Sequence, residues 1–332
     1  MSNLLLDCTL RDGGYINNWD FGENAILDII NKLENSNVDI IEIGFLKKEE
    51  YKSNRTVYNK MQQISKQINP KKENHLYAAM IEVVNPIPLE DLEPCSEKTV
   101  DIIRVIVWKR LLKEGFEYCK GIVEKGYKLC VQPARVDQYS YEEYRDMINL
   151  FNTLNPLAIY VVDSWGTQYR EDILEYVKIA DKYLRPEISI GYHGHNNLMQ
   201  AFGIADAFLH YDTQRNKIID ASIAGIGRGA GNLNTELWAK YINEKHDNIY
   251  NLLPIVEIYE KYIKSLQEKY IWGYSQSYFL TAKYGCNPNY GNYYAEKGIS
   301  LSKINEILQN LSDEDKIMFS KEKANNYLSK DY

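Results

Sequence analysis

Short runs of aliphatic and β-branched residues recur along the first two thirds of the chain: Leu4–Cys8, Val38–Phe45, Leu76–Glu82, Asp101–Val107, Lys128–Gln132, Ala158–Asp163, Ile188–His193 and Ile218–Ala224. Between them the apolar spacing changes to three and four, as in Ile26, Ile29, Ile30 and Leu33, or Ile173, Val177, Ala180 and Leu184. The first pattern suits buried strands and the second amphipathic helices, and their alternation predicts parallel strands joined by crossover helices. Punctuation agrees: Ser140 and Glu143 form a capping box before MINLF, and Gly126 ends one helix ahead of the next strand. Eight units predict a closed (β/α)8 TIM barrel of the α/β class. An open doubly wound sheet would place a glycine-rich phosphate loop after its first strand, where this chain has TLRDGGY. Beyond Glu244 the strand signal stops. Helices are expected over Ile249–Tyr270, Gln276–Lys283 and Ser302–Leu311, dividing the chain into a barrel, residues 1–244, and a C-terminal helical appendage, residues 245–332.

Composition narrows the partners. The 332 residues are 45% hydrophobic and carry a net charge of −7 with no basic block, so neither a nucleic-acid groove nor a membrane surface is expected, and a small-molecule substrate is. Cys8, Cys95, Cys119, Cys130 and Cys286 are odd in number and show no CxxC pair, which fits reduced packing thiols of a cytoplasmic protein. No signal peptide or membrane-length apolar stretch is evident, so the Asn310-Leu311-Ser312 sequon is expected to be idle. The 28 tyrosines are scattered and read as helix surface and core edge rather than as a stacking platform.

Chemistry in a parallel barrel gathers where strands end. The first strand runs into Arg11-Asp12-Gly13-Gly14, and the seventh ends in His193-Gly194-His195. Side chains two apart on an extended backbone share a direction, so both imidazoles can face one ion. Strands one and seven belong to the same alternating set, which brings Asp12 to the same point. Two imidazoles and a carboxylate with open positions suit a catalytic divalent ion, with Mn²⁺, Mg²⁺, Co²⁺, Zn²⁺ and Fe²⁺ all chemically acceptable. A bare HxH equally describes two strand-end histidines bonded to backbone. After the eighth strand, GIGRGAGN supplies glycine-rich amides as an anion cradle and Asn232 as a fourth ligand, or simply a helix-entry turn.

At these residues the chain resembles the DRE-TIM metallolyases, the superfamily of 3-hydroxy-3-methylglutaryl-CoA lyase, from about Leu5 to Asn243. The shared motifs are TLRDG, Glu42 in IIEIG, Asp163-Ser164 in VVDSWG, HGHNN and GIGRGAGN. VVDSWG and DASIAGIGRGAGN most resemble the 4-hydroxy-2-oxovalerate aldolases. The tail segment Gly273–Leu280 and Asn287-Pro288-Asn289-Tyr290 loosely match their C-terminal domain. The resemblance implies a metal-dependent aldolase or lyase working through a pyruvate enolate, with Mn²⁺ or Mg²⁺ foremost and Co²⁺ or Zn²⁺ as substitutes. Asp12, His193, His195 and Asn232 match the ligands, Arg11 the arginine facing the enolate, Glu42 the acid that positions it, and Ser164 a substrate contact. Tyr274 or Tyr278 matches an active-site tyrosine. The expected partner is an oxoacid or aldehyde, with self-association allowed and the aldolases' dehydrogenase partner not carried over.

One departure stands out: where the aldolases place a histidine base two residues beyond RDG, this chain has Tyr15. A tyrosine, with an ordinary pKa of about 10, needs a nearby cation to serve as a base near neutrality, and hydroxide on the ion is the rival. His75, before a strand, and His210 and His246, at helix ends, do not replace the missing group. The TLRDGGY variant resembles members from surface-polysaccharide loci, implying a sugar-derived aldehyde or oxoacid. Three other functions remain: a Schiff-base aldolase on Lys109, a Claisen-type acyl-CoA synthase or lyase of the same superfamily, and a non-catalytic barrel.

Overall fold

The computed structural model describes residues 3–246 and 249–329; the outer ends of the two expected units lie outside the described residues. Nine strands form one parallel sheet: β1 Asn3–Asp7, β2 Ile40–Leu46, β3 Val57–Tyr58, β4 Leu76–Glu82, β5 Ile102–Trp108, β6 Lys128–Ala134, β7 Ala158–Asp163, β8 Ser189–Gly194 and β9 Lys217–Ala221. The order β1-β9-β8-β7-β6-β5-β4-β2 closes where β1 pairs with β2, through Leu6↔Ile40 and Asp7↔Ile41. All eight expected runs are strands, and the fold is a (β/α)8 TIM barrel followed by C-terminal helices.

The additional strand, β3, was not foreseen. It pairs with Phe45 and Leu46 of β2 beyond an irregularity between Glu42 and Phe45, where β2 drifts from β4. Gly44 makes this switch: its φ is +150°, and a Cβ there would stand 2.1 Å from the Thr56 carbonyl oxygen. Two residues are too short a run to carry a strand pattern.

Period-two alternation divides the barrel into concentric shells. One face of each strand joins the surrounding helices in a large apolar cluster. The other fills the lumen with a floor of Leu6, Ile40, Ala78, Ile102, Cys130, Ala158 and Ile218. Two residues further along the same strands stand Glu42, Arg104, Gln132 and Asp220, all buried and polar. The lumen therefore changes from oil to charge one layer below its mouth.

The capping box is present, with Ser140 accepting from the Glu143 amide and Glu143 from that of Ser140. Gly126 sits at φ +86°. Among the described residues no helix is long and apolar enough to cross a membrane. Gln276–Lys283 is helical as expected. The expected helix over Ile249–Tyr270 begins at Leu252 and contains a widened turn at Tyr259–Ile263. Asn289–Glu296, Asp313–Ile317 and Lys321–Leu328 add further helices. Tyr250, Ile255, Ile258, Ile263 and Trp272 pack into the barrel's outer core. Leu280, Cys286, Tyr290, Tyr294, Ile304, Ile307 and Leu308 form a core of their own.

Candidate active site

The segment after β1 leaves the barrel as two short helical turns, Thr9–Asp12 and Gly14–Asn17. Gly14 is required by packing, since a Cβ would meet the Trp19 ring at 1.9 Å. These turns place Arg11 and Asp12 over the barrel mouth, both buried. His193 and His195 reach the same point from the end of β8. One ligand atom from each of Asp12, His193 and His195 lies within 4.8 Å of the others.

The tautomers follow from the partners. His193 Nδ1 lies 3.0 Å from Asp220 Oδ2, and His195 Nδ1 lies 3.0 Å from the Arg228 carbonyl oxygen. A carbonyl and an ionised carboxylate only accept, so each Nδ1 carries the proton and donates it. Each Nε2 is then left with a lone pair, and the two stand 3.4 Å apart. Burial pushes His195 down to about 4, against the pull of Asp12, so its ring is neutral at ordinary pH. For Asp12, burial acts upward but Arg11 and then the two histidines prevail, holding it below the usual carboxylate range. Two converging lone pairs and an anion repel one another unless a cation sits among them. Asn232 donates to Asp12 Oδ2 at 2.7 Å and to the Ile226 carbonyl at 3.1 Å, which fixes its amide and leaves its Oδ1 buried without a partner. This donor set fits a divalent ion.

Behind the ligands runs a chain of opposite charges. Arg11 donates to Asp12 at 2.5 Å and to Glu42 at 2.8 Å. Glu42 is paired at 2.9 Å with Arg104, which also donates to Asp220, and Asp220 accepts from His193. Arg104 is fully buried in the lumen. Arg104, Asp220 and Gln132 were overlooked in the sequence, although a charged or amide residue interrupting the apolar runs IIRVIV, IIDAS and LCVQP, two positions from a lumen residue, is the signal that would have found them.

A cavity of about 70 Å³ above this chain is lined by Arg11, Asp12, Tyr15, Glu82, Ser164, His193, His195 and Arg228, among others. Ser164 accepts a hydrogen bond from the Arg135 amide at 2.9 Å. Tyr15 packs edge-on against Trp19 and Phe45. The residue is 37% exposed; desolvation of the phenol first and Glu82 second push it above the ordinary tyrosine value, with Arg228 opposing. Tyr278 lines a second, adjoining cavity. Tyr274 is half exposed, bonded among the described residues to Gln276, and lines neither. Lys109 lies outside the inner cavity, donating to the Gln138 carbonyl and pairing with Glu143 at 2.6 Å. His75 bonds the Val38 carbonyl ahead of β4, at the barrel's other end. In the glycine-rich loop, the amides of Gly225, Ile226, Ala230, Gly231 and Asn232 are already bonded within the protein, so most of the expected anion cradle is spent internally.

Comparison with known proteins gives the chain a family. Oxaloacetate decarboxylase of Mycobacterium tuberculosis is 24% identical over 248 residues, 70% of this chain and 68% of that protein. A 4-hydroxy-2-oxovalerate aldolase of Geobacillus genomosp. 3 is 25% identical over 239 residues, again 70% of this chain and 68% of the relative. The crystal structure of the N-terminal domain of an aldolase candidate from Bacteroides vulgatus superposes with a TM-score of 0.73 at 24% identity, covering 88% of this chain and 96% of that one. The HMGL-like family model matches residues 3–260, and the chain belongs to the HMGL-like family.

Proposed function

We propose that this chain is a divalent-metal-dependent carbon–carbon lyase of the aldolase type, cleaving or forming the bond beside the carbonyl of a 2-oxoacid through a pyruvate enolate. The observation that carries this reading is the pair of imidazole Nε2 lone pairs 3.4 Å apart beside the ionised Asp12. The same enolate is reached from a 4-hydroxy-2-oxoacid by loss of an aldehyde and from oxaloacetate by loss of carbon dioxide. The two named relatives catalyse those two reactions by their titles, and Tyr15, a proton donor in the cavity wall, favours the aldol route.

In this reading Asp12, His193, His195 and the Oδ1 of Asn232 hold the ion, with Mn²⁺ or Mg²⁺ preferred. When bound it supplies Lewis-acid polarisation of the 2-oxo group and a chelating fit for the oxoacid head. Arg11, anchored on Glu42 and Asp12, presents its guanidinium to the oxygen where negative charge develops, without reorganising at the moment of reaction. Ser164 orients the oxoacid. Tyr15 keeps its proton at neutral pH and therefore acts as the donor to the aldehyde oxygen in the condensing direction. Residues 1–244 are proposed as the catalytic unit and residues 245–332 as its cover, in a cytoplasmic protein, with a sugar-derived substrate as the metabolic setting.

The test is pyruvate release from a panel of 4-hydroxy-2-oxoacids and from oxaloacetate, with and without Mn²⁺, alongside calorimetric titration of the ion. The expected result is ion-dependent release from the hydroxyacids and binding of about one ion per chain. Absence of ion binding, or release indifferent to it, contradicts the reading.

A further inference from the structure

The inner cavity, at about 70 Å³, is far smaller than the ~300–1,000 Å³ usual for small-molecule sites. It has room for an oxoacid head and little else. Tyr15 and Arg228 line it and also line the second cavity, about 370 Å³, which opens between the glycine-rich loop and the C-terminal helices. The two spaces therefore meet at these side chains, at the end where the far half of a substrate would leave the inner one.

The outer cavity combines an apolar wall, Ile16, Ile271 and Pro288, with charged and amide groups. Arg228 donates to Asn287 at 2.8 Å, makes no carboxylate ion pair among the described residues, and keeps its Nε buried without a partner. A buried guanidinium donor without a partner asks for an acceptor. Lys269 lines the same space with no carboxylate ion pair among the described residues. The one acid on the wall, Glu296, accepts from Asn292. Neutral hydrogen-bonding groups are supplied by Tyr278, Asn289 and Asn292. Two cations against one occupied carboxylate favour a negative ligand, and the amides and phenol favour one with hydroxyls.

We propose that the outer cavity binds the aldehyde half of the substrate and that this half is an anionic hydroxyaldehyde, its carboxylate or phosphate met by Arg228 and Lys269. The inference rests on the oxoacid-aldolase reading of the inner site. In the condensing direction C3 of pyruvate gives up a proton to water and its electron pair forms the bond to the aldehyde carbon, while the carbonyl pair moves to the aldehyde oxygen, which takes a proton from Tyr15 to become the 4-hydroxyl and leaves Tyr15 to be reprotonated from water. No oxidant or reductant is needed.

The experiment uses the full chain loaded with Mn²⁺ and two readouts. Exchange of the pyruvate C3 hydrogens in D₂O reports the inner site alone. Condensation of pyruvate is then compared for glyceraldehyde 3-phosphate, tartronate semialdehyde, glyceraldehyde and acetaldehyde. An anionic aldehyde is expected to exceed both neutral ones by about tenfold or more in kcat/KM, the scale of one charge-assisted contact. Preference for glyceraldehyde 3-phosphate assigns the phosphate and preference for tartronate semialdehyde the carboxylate; either supports the proposal. R228Q and the exposed-site variant K269Q should each reduce that preference, and its survival in both overturns the assignment. Equal or better use of the neutral aldehydes, or exchange with no condensation, overturns the inference and leaves the oxoacid reading standing. Absence of exchange overturns both.

Discussion

At the residue scale, the site depends on side chains that never touch a substrate. Arg104 bridges Glu42, which holds Arg11, and Asp220, which holds His193. Replacing it with methionine leaves Glu42 to Arg11 alone and strips buried Asp220 of its guanidinium partner, which costs about 3–5 kcal/mol. Arg104→Met should lower the denaturation midpoint accordingly and weaken Mn²⁺ binding about 10–100-fold, the usual effect of losing a ligand's supporting partner. Unchanged calorimetric affinity would detach the charge chain from the ion. Tyr15 stands where the resemblance to the aldolases implies a histidine. With its phenol held protonated, Tyr15→Phe should bind Mn²⁺ and keep its fold yet lose roughly 10²-fold in turnover. Wild-type turnover in that variant would remove Tyr15 from proton transfer. Asp12, His193 and His195 were legible as a group because HxH and RDG are local. Arg104 and Asp220 were not, because their meaning lies in facing one another across the lumen.

At the element scale, the strand ends decide where the chemistry stands. Gly44 lets β2 turn from β4 to β3, where the Thr56 carbonyl accepts from the Phe45 amide at 3.0 Å. A Cβ at Gly44 meets backbone, and the φ of +150° is one that L side chains rarely adopt, so Gly44→Ala should destabilise the protein by about 1–3 kcal/mol in urea unfolding. An unaffected midpoint would mean that the switch relaxes freely. Asp7, ending β1, accepts from the Thr9 amide at 2.9 Å and the Thr235 hydroxyl at 2.6 Å, and burial nonetheless raises it to about 6. The folded state then holds this proton more tightly than the unfolded chain, whose ordinary value is 3.8. The associated stability is complete below 3.8 and is lost as pH rises through about 6. Asparagine keeps an oxygen for Thr9 and can donate to Thr235, so Asp7→Asn should flatten the fall in melting temperature between about pH 4 and 6. Parallel pH profiles for both proteins would show that Asp7 does not contribute this slope. The eight main strands were readable because a buried parallel strand is an apolar run; β3 and the widened turn at Tyr259–Ile263 carry no such run.

At the scale of the whole molecule, the helical tail reaches the site through few contacts. Arg228 of the glycine-rich loop donates to Asn287 of the tail, and Trp272 of the tail donates to the Ala224 carbonyl at 3.0 Å. Asn287→Ala should leave Mn²⁺ affinity and pyruvate C3 exchange unchanged while raising KM for the aldehyde, because it frees Arg228 without touching the ligands. A loss of C3 exchange would show instead that the tail holds the inner site together.

Local pattern alone determined that this chain would form eight parallel strands with crossover helices, and that an aspartate and two histidines would end up where two strand ends converge. Periodicity is a property of neighbours in sequence, and HGH and RDG each state their chemistry within a few residues. Tertiary structure decided the rest. It turned both imidazoles so that their Nε2 atoms face each other, by placing Asp220 and the Arg228 carbonyl at their backs. It also put Tyr278 rather than Tyr274 beside the outer cavity. Those outcomes depend on pairs separated by 27 and 33 positions and on the docking of a separate apolar core, distances over which neither propensity nor spacing carries information.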